Sequence, residues 1–223
     1  MLPTQKEKLN LILNEIIKLG MTTLTMNQLI LDSLKNCKSC KLNEIKKISK
    51  KERYASIDKI DNLIINVFAL YTPEARDLRE LIAFLKITNE FDRIANSCNS
   101  FVRDFPSSLS DEVDKAFILE YAIPLQISSV NALTYALKLV EVNDKKMVNE
   151  YYKIVIIEES KNDDLYKIIE KNLLKKINTD MHLSKEYQDI MAALRRLEKI
   201  ADRALSVANL MHYAKVGGEI SKI

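Results

Sequence analysis

The chain repeats itself. Asp92-Arg93-Ile94-Ala95-Asn96 and Glu198-Lys199-Ile200-Ala201-Asp202 stand about 106 positions apart, close to half of the 223 residues. Self-similarity at that distance constrains the fold more than any composition figure, because it calls for two copies of one unit. The copies differ at their acidic positions. The second has Glu and Asp one helical turn apart, and the first has Asp and Asn.

Three Gly and four Pro in the whole length leave few tight turns, which argues against a sandwich or barrel and for long helices. The expected class is all-α, with six helices. The first runs from about Lys6 to Asn36 and breaks at the Asn36 to Lys41 connection; the second ends near Leu70. Thr72 as cap, Pro73 at the first helical position and Glu74 near the positive dipole end start the third, which reaches about Phe105. Pro106-Ser107-Ser108 and then Leu109-Ser110-Asp111-Glu112 mark a loop and a new N-terminus. The fourth helix extends to about Val140, bent by Pro124. The fifth spans about Asp144 to Ile177, and the sixth about Ser184 to Lys215, stopped by Gly217-Gly218. Short connections imply antiparallel neighbours, hence two pseudo-symmetric three-helix bundles, residues 1–107 and 108–223.

Several function classes fall away. The net charge of +3 comes from both signs spread along the chain, which is no nucleic-acid footprint. The run Lys46-Lys47-Ile48-Ser49-Lys50-Lys51 lacks interleaved aromatics and reads as a solvated helix face. No stretch approaches the roughly 20 apolar residues of a spanning helix, and Met1 to Asn10 is too polar for a signal peptide. Three cysteines without an export signal fit a reducing cytoplasm. Cys37 and Cys40 form a lone Cys-x-x-Cys without the second pair of a zinc ribbon or the βαβ context of a redox motif; Cys98 belongs to an apolar stripe.

No Gly-rich phosphate loop, nucleophile elbow or Ser/His/acid set is visible, so no enzyme activity is expected. No Glu-x-x-His pair supports a ferritin-like di-iron centre. His182 precedes the sixth helix, and His212 near its end reads as a surface residue compatible with the dipole.

Carboxylates remain. In the third helix Phe84, Ile87, Phe91, Ile94, Cys98 and Phe101 make one apolar stripe, and Asp92 and Asn96 lie about 100° to 140° around from it. In the sixth, Ile190, Leu194, Leu197, Ala201, Ala204 and Ala208 repeat the stripe, with Glu198 and Asp202 displaced alike, facing outward or along a flank. The fifth carries Glu159 and Asp163 one turn apart, off the apolar positions Ile154, Leu165 and Ile168. Two adjacent helices of one bundle could bring these four acids together. Like charges one turn apart cost a few tenths of a kcal/mol unless a cation compensates. All-oxygen sites suit Mg, Mn or Fe, with Zn or Ni as further candidates. On a chain this rich in charge the same pairs also arise as plain solvated faces.

Thr72-Pro73-Glu74-Ala75-Arg76-Asp77-Leu78-Arg79, then Phe91-Asp92-Arg93-Ile94-Ala95-Asn96, then Leu197-Glu198-Lys199-Ile200-Ala201-Asp202 resemble, in order and spacing, segments of the PhoU family of phosphate-signalling proteins. The ending Tyr213-Ala214-Lys215-Val216-Gly217-Gly218-Glu219 is similar too. The resemblance implies a pseudo-symmetric pair of three-helix bundles and a cytoplasmic regulator. Such a regulator couples a phosphate ABC transporter ATPase to a sensor histidine kinase, holds phosphate-starvation genes off, and touches the membrane only through those partners. It also implies a metal ion or cluster, iron first among the candidates, on the outer face of each bundle, and it leaves room for a homodimer. Glu159, Asp163, Glu198 and Asp202 fill the second-half motifs. The first half is incomplete: Asp92 remains, Asn96 replaces an acid, and alignment of the early motif puts Tyr54 and Asp58 in its place. One metal site is expected, in the second half. The alternatives are a metal-free bundle scaffold and a carboxylate-metal enzyme. Arg76, Asp77 and Arg79 are either charge placement at a helix start or, by the resemblance, part of a partner-facing surface.

Overall fold

The computed structural model describes residues 3–36, 44–45, 48 and 50–217. Cys37, Cys40, the rest of that connection, Lys46, Lys47, Ser49 and the segment from Gly218 lie outside the described residues. Among the described residues six long α-helices follow one another: α1 Pro3–Asn36, α2 Lys50–Leu70, α3 Ala75–Ser108, α4 Lys115–Glu141, α5 Lys145–Thr179 and α6 Ser184–Val216, with a 3-10 turn Met181–Leu183 before α6. The described residues contain no strand, so the chain is all-α as its scarcity of Gly and Pro implies.

The helix starts depart in detail from the sequence reading. α3 begins at Ala75 with Glu74 as its N-cap residue in extended conformation; Thr72 and Pro73 lie ahead of it. Glu74 gives its carbonyl to the amide of Leu78 at 2.9 Å, so the first helical bond is made two residues later than a Thr72 cap would place it. Pro106 sits inside the last turn of α3 rather than in a loop, and α4 starts only at Lys115, where the Asp114 carboxylate accepts from the Phe117 amide at 3.0 Å. α5 is capped alike by Asp144 on the Met147 amide. Gly217 ends α6 at φ +86°, the left-handed conformation that glycine takes without strain.

α1, α2 and α3 pack on one another, as do α4, α5 and α6; α1 also packs on α4 and α3 on α6, so one continuous core joins the halves. The apolar stripes read for α3 and α6 are buried throughout. On α5 the stripe lies elsewhere: Val148, Val155, Asn162, Tyr166, Ile169 and Leu173 are buried, while Ile168 is exposed. The heptad spacing of 148, 155, 162 and 169 carries the helix along α4 and α6.

α4 is buried at consecutive pairs such as Leu125 and Gln126, or Leu139 and Val140, because α1, α5 and α6 cover it from several sides. By length and apolar content it is the one described helix that could cross a membrane, and those three neighbours account for that apolarity. Hydrogen bonds tie its buried polar groups to neighbouring helices, although Gln126 Oε1 and Asn162 Oδ1 have no hydrogen-bond partner. Gln126 donates to the Asn27 carbonyl at 2.7 Å, Asn162 donates to the Leu125 carbonyl and to Ser128 Oγ at 2.7 Å each, and buried Lys215 donates to the Val140 and Val142 carbonyls at the helix end.

Candidate metal centre

α5 and α6 lie side by side, and their acidic residues meet along the seam. Glu159, Asp163 and Asp202 each offer a carboxylate oxygen within 4.8 Å of the other two, all three half-buried. The local reason is register. Glu159 and Asp163 flank Asn162 and Tyr166, which α5 turns inward, so the acids sit at the edge of the buried stripe rather than on its back.

Glu198 goes deeper than an outward-facing reading allows. It is buried at 9% exposure, between Leu197 and Ile200 of the α6 core line. Its Oε1 accepts from Lys199 at 3.1 Å, while Oε2 is buried with no hydrogen-bond partner. Lys199 also donates to Asp202 Oδ2 at 2.6 Å.

The electrostatics follow from this crowding. Burial, then the carboxylates of Asp163 and Asp202, push Glu159 above the usual carboxylate range. Burial raises Glu198 as well, with the Lys199 hydrogen bond opposing it and Asp202 adding to it. Burial would lower Lys199, but its bonds to Asp202 and Glu198 outweigh that and hold the ammonium above its ordinary value.

Four carboxylates therefore face two ammonium groups across two helices, Lys199 on Glu198 and Asp202 and the more exposed Lys167 at 3.8 Å from Asp163. A hard or borderline cation fits such a donor set: three oxygens converge, the charge excess is negative, and Glu198 Oε2 is a buried acceptor with nothing to accept from. Tyr166, buried on the same helix as Glu159 and Asp163, lies within electrostatic reach of Glu198.

The first half is built differently. Arg53, whose side chain is 1% exposed, donates through Nε to Asp92 Oδ1 at 2.8 Å and through Nη2 to Asn96 Oδ1 at 2.9 Å. Asn96 Nδ2 donates to Asp92 Oδ2 at 2.9 Å, closing a ring of three side chains. Tyr54 and Asp58 are exposed and make no hydrogen bond to Asp92 or Asn96; the Tyr54 ring instead lies 5.4 Å from the Lys50 ammonium. A metal does not fit this set, because a guanidinium already fills the space between the two acceptors.

Of the residues read from the sequence, Glu159, Asp163 and Asp202 converge, Glu198 joins them from below, Asp92 and Asn96 meet each other, and Asp58 stands apart. Arg53 and Lys199 were missed. The signal for Arg53 was present: the 106-residue offset that pairs Asp92 with Glu198 and Asn96 with Asp202 pairs Arg53 with Glu159, one position before the Tyr54 register. His212 is not a free surface cation. It stacks on Tyr152 with centroids 4.2 Å apart, lies 2.8 Å from Asn149 Oδ1, and burial lowers its pKa, favouring the neutral ring.

Comparison with known proteins places these features. The family model described as the PhoU domain matches residues 16–104. The crystal structure of PhoU from Pseudomonas aeruginosa superposes with a TM-score of 0.81 at 18% identity, over 96% of this chain and 99% of that one. The phosphate transport system regulatory protein PhoU from Streptococcus pneumoniae gives 0.82 at 14% identity, over 98% and 100%. No curated protein matches by sequence search. The chain thus carries a match to the PhoU domain over residues 16–104 and, along nearly its whole length, the fold of these two PhoU structures.

Proposed function

We propose that this chain is a non-enzymatic regulatory adaptor of phosphate uptake and phosphate-starvation signalling, acting in the cytoplasm through a phosphate ABC transporter ATPase and a sensor histidine kinase. Glu159, Asp163 and Asp202, with Glu198 supporting them, hold a metal ion or cluster, with iron first among the candidates and Zn, Ni, Mn or Mg behind it. The convergence of three carboxylate oxygens within 4.8 Å on two helices carries the metal reading. The PhoU domain match over residues 16–104, and the regulatory role of the Streptococcus pneumoniae protein that shares the fold, support the phosphate role. The bound cation would neutralise the seam and tie α5 to α6; Lys199 would set how much charge remains for it. Arg76, exposed where α3 begins, with Asp77 and Arg79 half-buried beside it, is offered for partner contact.

Elemental analysis of purified protein beside a Glu198→Ala/Asp202→Ala variant tests the metal, and pull-down with transporter ATPase and kinase cytoplasmic domains tests the adaptor role. Stoichiometric metal lost in the variant and capture of either partner are expected. The Lys199 bridge favours one second reading, a metal-free scaffold whose own ammonium quiets the acids. Absence of metal after loading would select it.

A further inference from the structure

α2 has few buried anchors: Arg53, Ile60, Ile64 and Val67. In its first ten residues Arg53 stands alone in that set, so the approach of this end of α2 to α3 rests on a charged side chain rather than an apolar one. That side chain makes two hydrogen bonds to α3, to Asp92 and to Asn96, and those two are bonded to each other. Its counterpart about 106 residues on is Glu159, which faces Asp202 and Glu198, the counterparts of Asn96 and Asp92. Ile57 likewise stands where Asp163 stands, and Arg93 where Lys199 stands.

We infer that Arg53 is a built-in cation that replaces the metal of the first half, so that α2 is tied to α3 without metal and only the α5–α6 seam responds to it. Three observations carry this. The guanidinium is nearly fully buried and its Nε and Nη2 reach both α3 residues that the repeat makes equivalent to second-half acids. The charge is balanced locally, one guanidinium against one carboxylate with neutral Asn96, whereas the second half leaves four carboxylates against two ammonium groups, Lys199 and, on Asp163, Lys167. Arg93, the counterpart of Lys199, is exposed and pairs with Glu90 at 3.6 Å, so it is not needed at Asp92. A guanidinium gives directed, planar hydrogen bonds and cannot be removed by chelation or titrated near neutrality, so the tie is permanent.

This inference rests on the second-half metal reading for its contrast, and the experiment separates the two. Metal content is measured in four proteins: the native chain, Glu198→Ala/Asp202→Ala, an Arg53→Glu/Ile57→Asp/Asn96→Asp variant, and the combination of all five changes. Hydrogen exchange is followed in the native chain with and without chelator and in Arg53→Met. The second-half variant is expected to be metal-free, and the five-fold variant to take up metal through its restored first half. Chelator is expected to speed exchange in residues 155–166 and 195–205 but not in 50–58 or 88–98. Arg53→Met is expected to speed exchange in 50–58 at least roughly tenfold. Metal retained by Glu198→Ala/Asp202→Ala overturns the inference, as does a folded five-fold variant that refuses metal, or unchanged exchange in Arg53→Met. A native chain that binds no metal overturns the second-half reading instead, while Arg53→Met and the five-fold variant still decide the role of Arg53.

Discussion

The Lys199 ammonium lies 2.6 Å from Asp202 Oδ2, so a side chain of the same helix already neutralises part of the acidic seam. A metal arriving there competes with it. Lys199→Met should therefore tighten divalent-metal binding, by roughly tenfold for the loss of one adjacent like charge in a half-buried site. Without metal the same change should destabilise the fold by up to about 1 kcal/mol, since Lys199 is 39% exposed and solvent screens much of the pair. The sign is set by the raised pKa of Lys199: its contribution is complete below the ordinary lysine value and is lost only as pH climbs through the higher folded-state value. Competition titration against a metal indicator and urea melts in chelator measure both. Weaker binding by the methionine variant would show that Lys199 supports the metal rather than opposing it.

Glu159 gives the opposite sign. Burial and its acidic neighbours raise its pKa, so the ionised form is disfavoured in the folded state. A carboxyl with a raised folded-state pKa costs nothing while protonated in both states, and the cost appears as pH rises through the unfolded value toward the folded one. In chelator at pH 7, Glu159→Gln should stabilise the protein by about 0.5 kcal/mol, the scale of relieving like-charge contacts. At pH 3.5 that advantage should vanish, because the native residue is protonated as well. With metal present the same variant should bind less tightly, since a ligand is gone. Thermal melts at the two pH values, with and without metal, carry the test; an advantage that survives at pH 3.5 would trace to something other than charge.

The sequence made the helices legible because two of them expose an unbroken 3.6-residue stripe. Phe84 to Phe101 on α3 and Ile190 to Ala208 on α6 are buried as read. α5 was less legible for a physical reason: its stripe contains Asn162, a polar residue whose Nδ2 donates to the Leu125 carbonyl and to Ser128 Oγ on α4, and so the period looked shifted onto Ile168. Helix starts misled in the same way. Pro73 fits a first helical position, yet the chain stays extended to Glu74, which becomes the N-cap residue, and the acid within the first turn is Asp77. The second-half acids were readable from repeat and register together. Arg53 was not, because a cation at a position expected to hold an acid matches no motif; it is recognisable only once α2 is laid against α3.

Cys98 should be chemically silent in the folded protein. Burial pushes its thiol up to about 12, against the partial opposition of the Arg53 charge, so almost no thiolate forms near neutrality. In a Cys37→Ser/Cys40→Ser background, labelling of Cys98 by a disulfide reagent at pH 8 should be slower in native buffer than in denaturant by roughly a thousandfold or more, because reaction waits for opening. Rapid native labelling would mean that the α3 core near Arg53 opens locally. Comparing labelling rate with the global unfolding rate in urea decides which opening is involved.

Gly20 sits within α1 where that helix crosses both α3 and α4. A Cβ there would come within 2.8 Å of Phe91 Cζ and inside contact distance of Leu137 Cδ2. Leu137 can swing the end of its side chain away, but Phe91 is fully buried and its ring has no free space to enter. Alanine would gain about 0.5–1 kcal/mol in helix preference and lose about 1–3 kcal/mol to overpacking. Gly20→Ala should thus be destabilised by about 1 kcal/mol, and Gly20→Val by more than about 3 kcal/mol, since its methyl groups press on the same two side chains. Equilibrium urea unfolding measures both, and Glu159→Gln serves as the control that folds without a clash. If Gly20→Ala proved more stable than the native chain, α1 would have room to move outward from Phe91, and the contact between the halves at this crossing would be looser than the packing shows.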